Sequence, residues 1–179
     1  MELFWLSEGR CERRVAADLP ALLARDDGFV WLDAAECDEE ASKTLAESFR
    51  FHPLAVRDCR ERSHIAKLQV YPDHLFVILH APEPGDAGQI HLLELDYFVS
   101  HRYLVTVHGP INPEVPLEKA LRETRAVARR IEQGRFAPGS PAELSHAIVS
   151  ALVAHQETFV MELTRKVATL ERRVLSGEK

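Results

Sequence analysis

The sequence predicts an α/β fold: a mixed β-sheet of about six or seven strands with helices on both faces, followed by a long C-terminal helix. Three observations carry this reading. Short alternating or continuous apolar runs, bounded by turn residues, recur along the chain and read as strands. Between them lie segments whose apolar residues repeat every three or four positions, the helical period. From Ser140 to Leu175 no residue breaks a helix.

Leu3 to Leu6 begins the sheet, Ser7 to Arg10 turns the chain, and Cys11 to Val15 returns as a second strand. Asp18 is placed to cap a short helix from Leu19 to Arg25, with Pro20 in the first turn, where its missing N–H costs nothing. Asp26-Asp27-Gly28 stops that helix. Phe29 to Leu32 reads as a buried strand. Asp38 caps the next helix, whose apolar face is Ala41, Leu45 and Phe49. His52-Pro53 opens a third helix that runs to Cys59. Lys67 to Tyr71 alternates with period two, and Pro72-Asp73 is a turn signal. Leu75 to Leu79 is continuously apolar, so it is expected to be buried on both faces and to pair antiparallel with Lys67 to Tyr71.

Ala81 to Gly88 holds two prolines and two glycines and reads as a surface loop. Ile90 to Val99 is a long strand, Ser100-His101-Arg102 turns, and the chain returns to His108. A helix follows from Leu117 to Gln133, with Leu117, Leu121, Val127 and Ile131 apolar, and Gly134 ends it. Ser140-Pro141-Ala142-Glu143 is a capping box with proline at the first helical position. The helix beyond it would be on the order of 50 Å long, more than a small α/β core can cover. Its first half is apolar nearly all round. Its second half narrows to a seam of Phe159, Leu163, Val167, Leu170 and Val174, the pattern of helix-on-helix packing. The expected organisation is an α/β domain over residues 1–139 and a helical arm over residues 140–179.

The chain has 179 residues, 46% hydrophobic and 28% charged, which suits a single folded domain and argues against disorder. A net charge of −6 without a basic stripe argues against a nucleic-acid partner. Cys11, Cys37 and Cys59 are odd in number and widely spaced, so free thiols in a reducing compartment are expected. No window approaches the roughly 20 apolar residues of a membrane span, and the apolar part of the N-terminus is too short for a signal peptide. There is no G-x-S-x-G, P-loop or G-x-G-x-x-G, so no enzyme signature emerges. Cys59, flanked by Arg57 and Arg60, reads as a half-buried structural cysteine. Nine histidines invite a metal reading, but no HExxH or HxH occurs. A transition-metal site assembled from His74, His80, His91, His101 and His108, in a soluble metal-dependent α/β enzyme, stands as an alternative. Glu83 and Asp86 lie in the Pro/Gly segment, where carboxylates are expected to stay exposed. Hard cations such as Mg2+ take carboxylate oxygens and keep several waters, so one or two well-placed acids suffice.

One set of motifs goes further. A His52-Pro53-Leu54 helix reaching Asp58, Lys67 opening a strand, Tyr71, an acidic turn and Leu75-Phe76-Val77-Ile78-Leu79-His80 together resemble the cytoplasmic domain of CorA-type magnesium transport proteins. Phe29 to Asp33 looks like the preceding strand of that family, and Glu94 to Val99 with Tyr103 to His108 looks like the paired strands that follow. The resemblance runs from about Gly28 to the C-terminus. It departs at Ser63-His64-Ile65-Ala66-Lys67, where the family often has His-Gln-Arg-Pro-Lys. The lysine is kept and the arginine and proline are not, which points to a divergent subgroup.

The resemblance implies a soluble cytoplasmic domain of an inner- or plasma-membrane protein that transports divalent cations, and not an enzyme. It implies homopentamers that bind regulatory Mg2+ between protomers through an acid near the 81–88 segment and another on the stalk helix. Asp86 is the nearest match, with Glu83 as the second candidate, and the partner acid would lie beyond Lys179. The role implied is to sense cytosolic Mg2+ and bias a gate. The stalk, the two membrane spans and the Gly-Met-Asn signature are absent from the sequence, so an excised domain or a naturally truncated protein is expected. Such a chain is expected to associate as a dimer or small oligomer through the seam of its last helix. A zinc-transporting relative of the same fold is the nearest alternative.

Overall fold

The computed structural model describes residues 1–177; the last two residues of the expected arm, 178 and 179, lie outside the described residues. The elements are β1 (Glu2–Ser7), β2 (Arg10–Arg14), α1 (Leu19–Leu23), β3 (Phe29–Ala34), α2 (Glu39–Glu47), α3 (Pro53–Arg60), β4 (Lys67–Val70), β5 (Leu75–Pro84), β6 (Ile90–Val99), β7 (Tyr103–His108), α4 (Leu117–Ala120), α5 (Arg122–Glu132) and α6 (Pro141–Ser176). The strands form one seven-stranded sheet in the order β2-β1-β3-β7-β6-β5-β4. Two antiparallel meanders, β2-β1-β3 and β4-β5-β6-β7, meet at one parallel pair, β3 with β7. The mixed α/β sheet with helices on both faces and a long final helix is the expected architecture.

Period two sends alternate strand residues to opposite faces. Leu3, Trp5, Val30, Leu32, Phe76, Ile78, Phe98, Val105 and Val107 form one core with the apolar faces of α1, α2 and α3. Phe4, Leu6, Trp31, Leu93, Leu95 and Leu104 form the other with Val127 and Ile131 of α5 and Leu144, Ile148 and Leu152 of α6. The helix starts follow the sequence: Asp38 accepts from the Ala41 amide at 2.7 Å and Ser140 from the Glu143 amide at 3.2 Å. His52 adds a cap, its Nδ1 accepting from the Leu54 amide at 3.2 Å. Asp18 makes no side-chain capping bond; a 3-10 turn over Ala16–Asp18 leads into α1 instead. Gly28 lies so close to β1 that a Cβ there would sit 2.3 Å from the Leu6 carbonyl oxygen, so no larger residue fits.

Three expectations are corrected. Ala81 to Gly88 is not all loop, because β5 runs on to Pro84 and pairs with β6 as far as Pro84 with Ile90. β4 ends its pairing at Lys67 with Ile78, so beyond that point β5 is an edge strand, where proline needs no partner for its missing N–H. Leu75 to Leu79 is not buried on both faces. Phe76 and Ile78 are buried, while Leu75 is exposed and Val77 and Leu79 are half-buried, because α6 leaves this corner of the sheet uncovered. The helix expected over Leu117–Gln133 is two, α4 and α5, separated at Leu121, whose φ −93° and ψ 9° leave the helical region.

Candidate functional site

The segment between β5 and β6 is a tight turn. Gly85 N–H donates to the Gln89 carbonyl at 2.9 Å, and Gln89 N–H to the Asp86 carbonyl at 3.0 Å, which closes a 3-10 turn over Asp86–Gly88. Gly88 takes a φ of 84°, where glycine is favoured. Gly85 packs on the His91 ring, and a Cβ there would lie 2.4 Å from its Nε2. Asp86 stands exposed on this turn, as its place in the sequence predicts, and among the described residues no hydrogen bond or ion pair engages its carboxylate.

Glu83 differs from expectation. It sits on β5 as a buried residue, and both carboxylate oxygens are engaged: Oε1 by Lys119 Nζ, and Oε2 by Arg122 Nη2 at 2.9 Å. Burial pushes its carboxyl up, but the bonds and charges of Lys119 and Arg122 outweigh that and hold it below the ordinary glutamate value. The structure therefore does not present Glu83 beside Asp86 as a second outward-facing ligand. Arg122 Nη1 also lies 2.7 Å from His155 Nε2, and His155 Nδ1 is 2.8 Å from Glu123 Oε1.

A second group of acids lies in the core facing α3. Glu94 and Asp96 point to the same face of β6 as Phe98. Glu94 Oε2 accepts from the Ser63 amide at 2.6 Å and is 3.7 Å from His80 Nε2. Asp96 is fully buried; neither of its carboxylate oxygens, nor Glu94 Oε1, has a hydrogen-bond donor. Burial first and the Glu94 charge second push Asp96 well above the ordinary aspartate range, and burial raises Glu94 as well. Cys59 is buried against them, and burial followed by the charge of Asp96 raises its thiol well above the usual value. It is a structural cysteine, fully buried where a half-buried one was expected.

On the other face, Asp33 Oδ1 accepts from the Thr106 hydroxyl at 2.6 Å and lies 3.2 Å from His108 Nε2. Burial works against its charge, but the His108 charge and the hydrogen bonds outweigh it and keep Asp33 below the ordinary aspartate range. The Trp31 indole donates to Thr106 Oγ1 at 3.1 Å. This polar seam ties the parallel pair together. The histidines considered for a transition metal are dispersed: His74 beside Asp73, His80 on the Ser63 carbonyl, His91 on Asn112, His108 on Asp33. Among the described residues no group of three His, Cys, Asp or Glu side chains is placed to hold a metal ion.

The Glu94–Asp96 pair is a feature the sequence reading missed. The signal was available, because period two puts both acids on the Phe98 face of a strand read as long.

The profile of the CorA-like Mg2+ transporter protein family matches residues 26–179, and the chain belongs to that family. Among curated proteins it is 25% identical over 150 residues to YfjQ of Bacillus subtilis (strain 168), named for metal ion transport, covering 82% of this chain and 42% of that protein. It is 24% identical over 123 residues to the magnesium transporter ALR1 of Saccharomyces cerevisiae (strain ATCC 204508 / S288c), covering 62% of this chain and 14% of that protein. The chain thus spans less than half the length of either relative. Similar solved structures include the full-length CmaX protein (TM-score 0.75, 14% identity, all of this chain and 52% of that one). They also include the soluble domain of CorA from Methanocaldococcus jannaschii (0.67, 14%, 97% and 64%) and the ZntB cytoplasmic domain from Vibrio parahaemolyticus RIMD 2210633 (0.70, 11%, 94% and 64%). These likenesses concern the fold. Among the described residues no helix is long and apolar enough to cross a membrane.

Proposed function

We propose that this chain is the cytoplasmic, cation-sensing domain of a CorA-type divalent-cation transporter, with Asp86 as the carboxylate that meets a hydrated Mg2+. The observation that carries the reading is the exposed, unengaged Asp86 on a turn closed by its own backbone hydrogen bonds, in a chain whose family is that of Mg2+ transporters. A hydrated Mg2+ needs few protein oxygens. Acids facing each other across a subunit boundary repel until a divalent cation lies between them, so cation binding and subunit arrangement are coupled. Nothing in this arrangement calls for catalysis.

Asp86→Ala tests the site. Its stability should stay within about 0.5 kcal/mol of wild type, because the carboxylate holds nothing in the fold. In a protein that includes the membrane-spanning region, the variant should lose Mg2+-dependent protection from protease. Full protection in the variant sinks the assignment, and unfolding would expose a structural role. Running Zn2+ beside Mg2+ separates the two transport readings, because the CorA and ZntB domains share this fold.

The same reading makes the protein oligomeric, with the last helix as a contact. Leu163, Val167, Leu170 and Val174 are 45%, 47%, 57% and 77% exposed along α6. Each such side chain gains roughly 1.5–3 kcal/mol on full burial, enough to outweigh repulsion between copies of charge −6. The 179-residue chain should associate with rising concentration in sedimentation, as a dimer or small oligomer, and Leu163→Glu with Leu170→Glu should abolish this. A wild type that stays monomeric, or a double variant that associates equally, counts against the seam.

A further inference from the structure

The long helix has 36 residues, and its buried side chains, Pro141, Leu144, Ala147, Ile148 and Leu152, all lie in its first third. His155 and Gln156 bind the domain just beyond them. Gln156 Nε2 donates to the His80 carbonyl on β5 at 2.7 Å, and His155 meets Glu123 and Arg122 of α5 at 2.8 and 2.7 Å. From Val160 onward the described helix is exposed. This turn is therefore the last point at which the domain holds the arm before it leaves the sheet.

Glu83 lies at the centre of the same junction. It is three residues before Asp86, on the last stretch of β5, and it holds Lys119 and Arg122 while its Oε2 stands 4.0 Å from His155 Nε2. Two acids, Glu83 and Glu123, face two bases, Lys119 and Arg122, with the His155 ring between them. Arg122 bonds both Glu83 on β5 and His155 on α6, so it links a shift of β5 at Glu83 to the helix. Glu83 and Glu123 are buried while Lys119 and Arg122 keep part of their side chains in solvent, so separating the cluster would leave the two buried carboxylates without partners.

We infer that Glu83 and His155 are positioning residues, a latch through which the Asp86 turn sets the angle of α6. The cation-coupled part of this inference rests on the reading of Asp86 given above. The latch itself rests only on the contacts.

Hydrogen exchange on the 179-residue chain tests it in two arms. Without added cation, Glu83→Gln and His155→Ala should each speed exchange of the α6 amides at 153–160 by about tenfold, the size expected for losing a charged hydrogen bond. Amides of β3, β7 and the turns around Leu144 and Ile148 should keep their wild-type rates. His155→Ala leaves the Glu83 ion pairs in place, so it carries the test if Glu83→Gln does not fold. Unchanged exchange at 153–160 overturns the latch, whatever a cation does. The second arm adds MgCl2. In the wild type the 85–89 turn and residues 153–160 should slow together, whereas in either variant only the turn should respond. A helix response of equal size in wild type and variants overturns the coupling. If neither segment of the wild type responds and calorimetry finds no Mg2+ bound, the Asp86 reading and the cation-coupled part fall together, and the first arm decides the latch.

Discussion

Phe98→Ala is expected to cost the domain about 3–5 kcal/mol, the range for emptying a large aromatic site in a core that relaxes only partly. Phe98 has no exposed surface, and its ring stacks on Phe51 at 3.9 Å and 6° and on Phe76 at 4.6 Å. His74 closes a third side at 5.7 Å. Phe51 belongs to the link between α2 and α3, Phe76 to β5, so one ring joins the helical layer to the sheet. Backbone-anchored strands on either side hold the site open and limit collapse. For a chain of this size the loss corresponds to a fall in Tm of about 6–20 °C. A loss under about 1 kcal/mol would mean that Phe51 swings in to fill the space and that the aromatic stack is not a structural centre.

Two residues earlier on the same strand face, Asp96→Asn should act in the opposite direction. An acid whose folded pKa lies above its unfolded value binds its proton more tightly in the native state. The stability it contributes is complete below the unfolded value and is lost as pH rises through the folded one. Asp96 and Glu94 are both raised from ordinary values of 3.8 and 4.5, Asp96 by burial and then by the Glu94 charge, Glu94 by burial alone. The wild type should therefore lose stability as pH rises past the unfolded values and through the raised folded ones. Asparagine keeps the size and polarity of the protonated side chain but cannot ionise. It should flatten this slope and stabilise the domain by about 1–3 kcal/mol at pH 8, the cost of a buried group left unsatisfied. Asp33 and Glu83 pull the other way. Their folded values are lowered, so their contribution is present above the unfolded values and is lost as pH falls through the folded ones. Urea titrations at several pH values distinguish these outcomes. Parallel pH profiles for wild type and Asp96→Asn would show that Asp96 does not hold a proton.

The strands were legible because period two and continuous apolar runs are local properties, written within five to ten residues. The Asp38 and Ser140 caps were legible for the same reason. The acids were not. Glu83 finds Lys119 and Arg122 at separations of 36 and 39 residues, and Glu123 finds His155 at 32, so nothing near them in the chain announces burial. Their charge argued for solvent, and tertiary pairing overrode it. Pro82 and Pro84 misled in a related way: proline demotes a strand only where its N–H is needed, and the open edge beside them is a property of the whole sheet. Asp86 was readable because exposure requires no distant partner.

The single parallel seam between β3 and β7 has a consequence for how the chain acquires its shape. The Trp31 indole waits for Thr106, 75 residues further on. At about 5–20 residues per second of synthesis, the β2-β1-β3 meander is complete several seconds before its partner strand exists. During that interval β3, whose six residues are all buried in the finished sheet, presents an apolar, unpaired edge of the kind that recruits neighbouring chains. Closing the seam is a late, non-local event that waits for β4 to β7 to assemble, and such contacts are slow to form. Nascent chains stalled before residue 103 should therefore be clients of holding chaperones, and those stalled after residue 108 should be released.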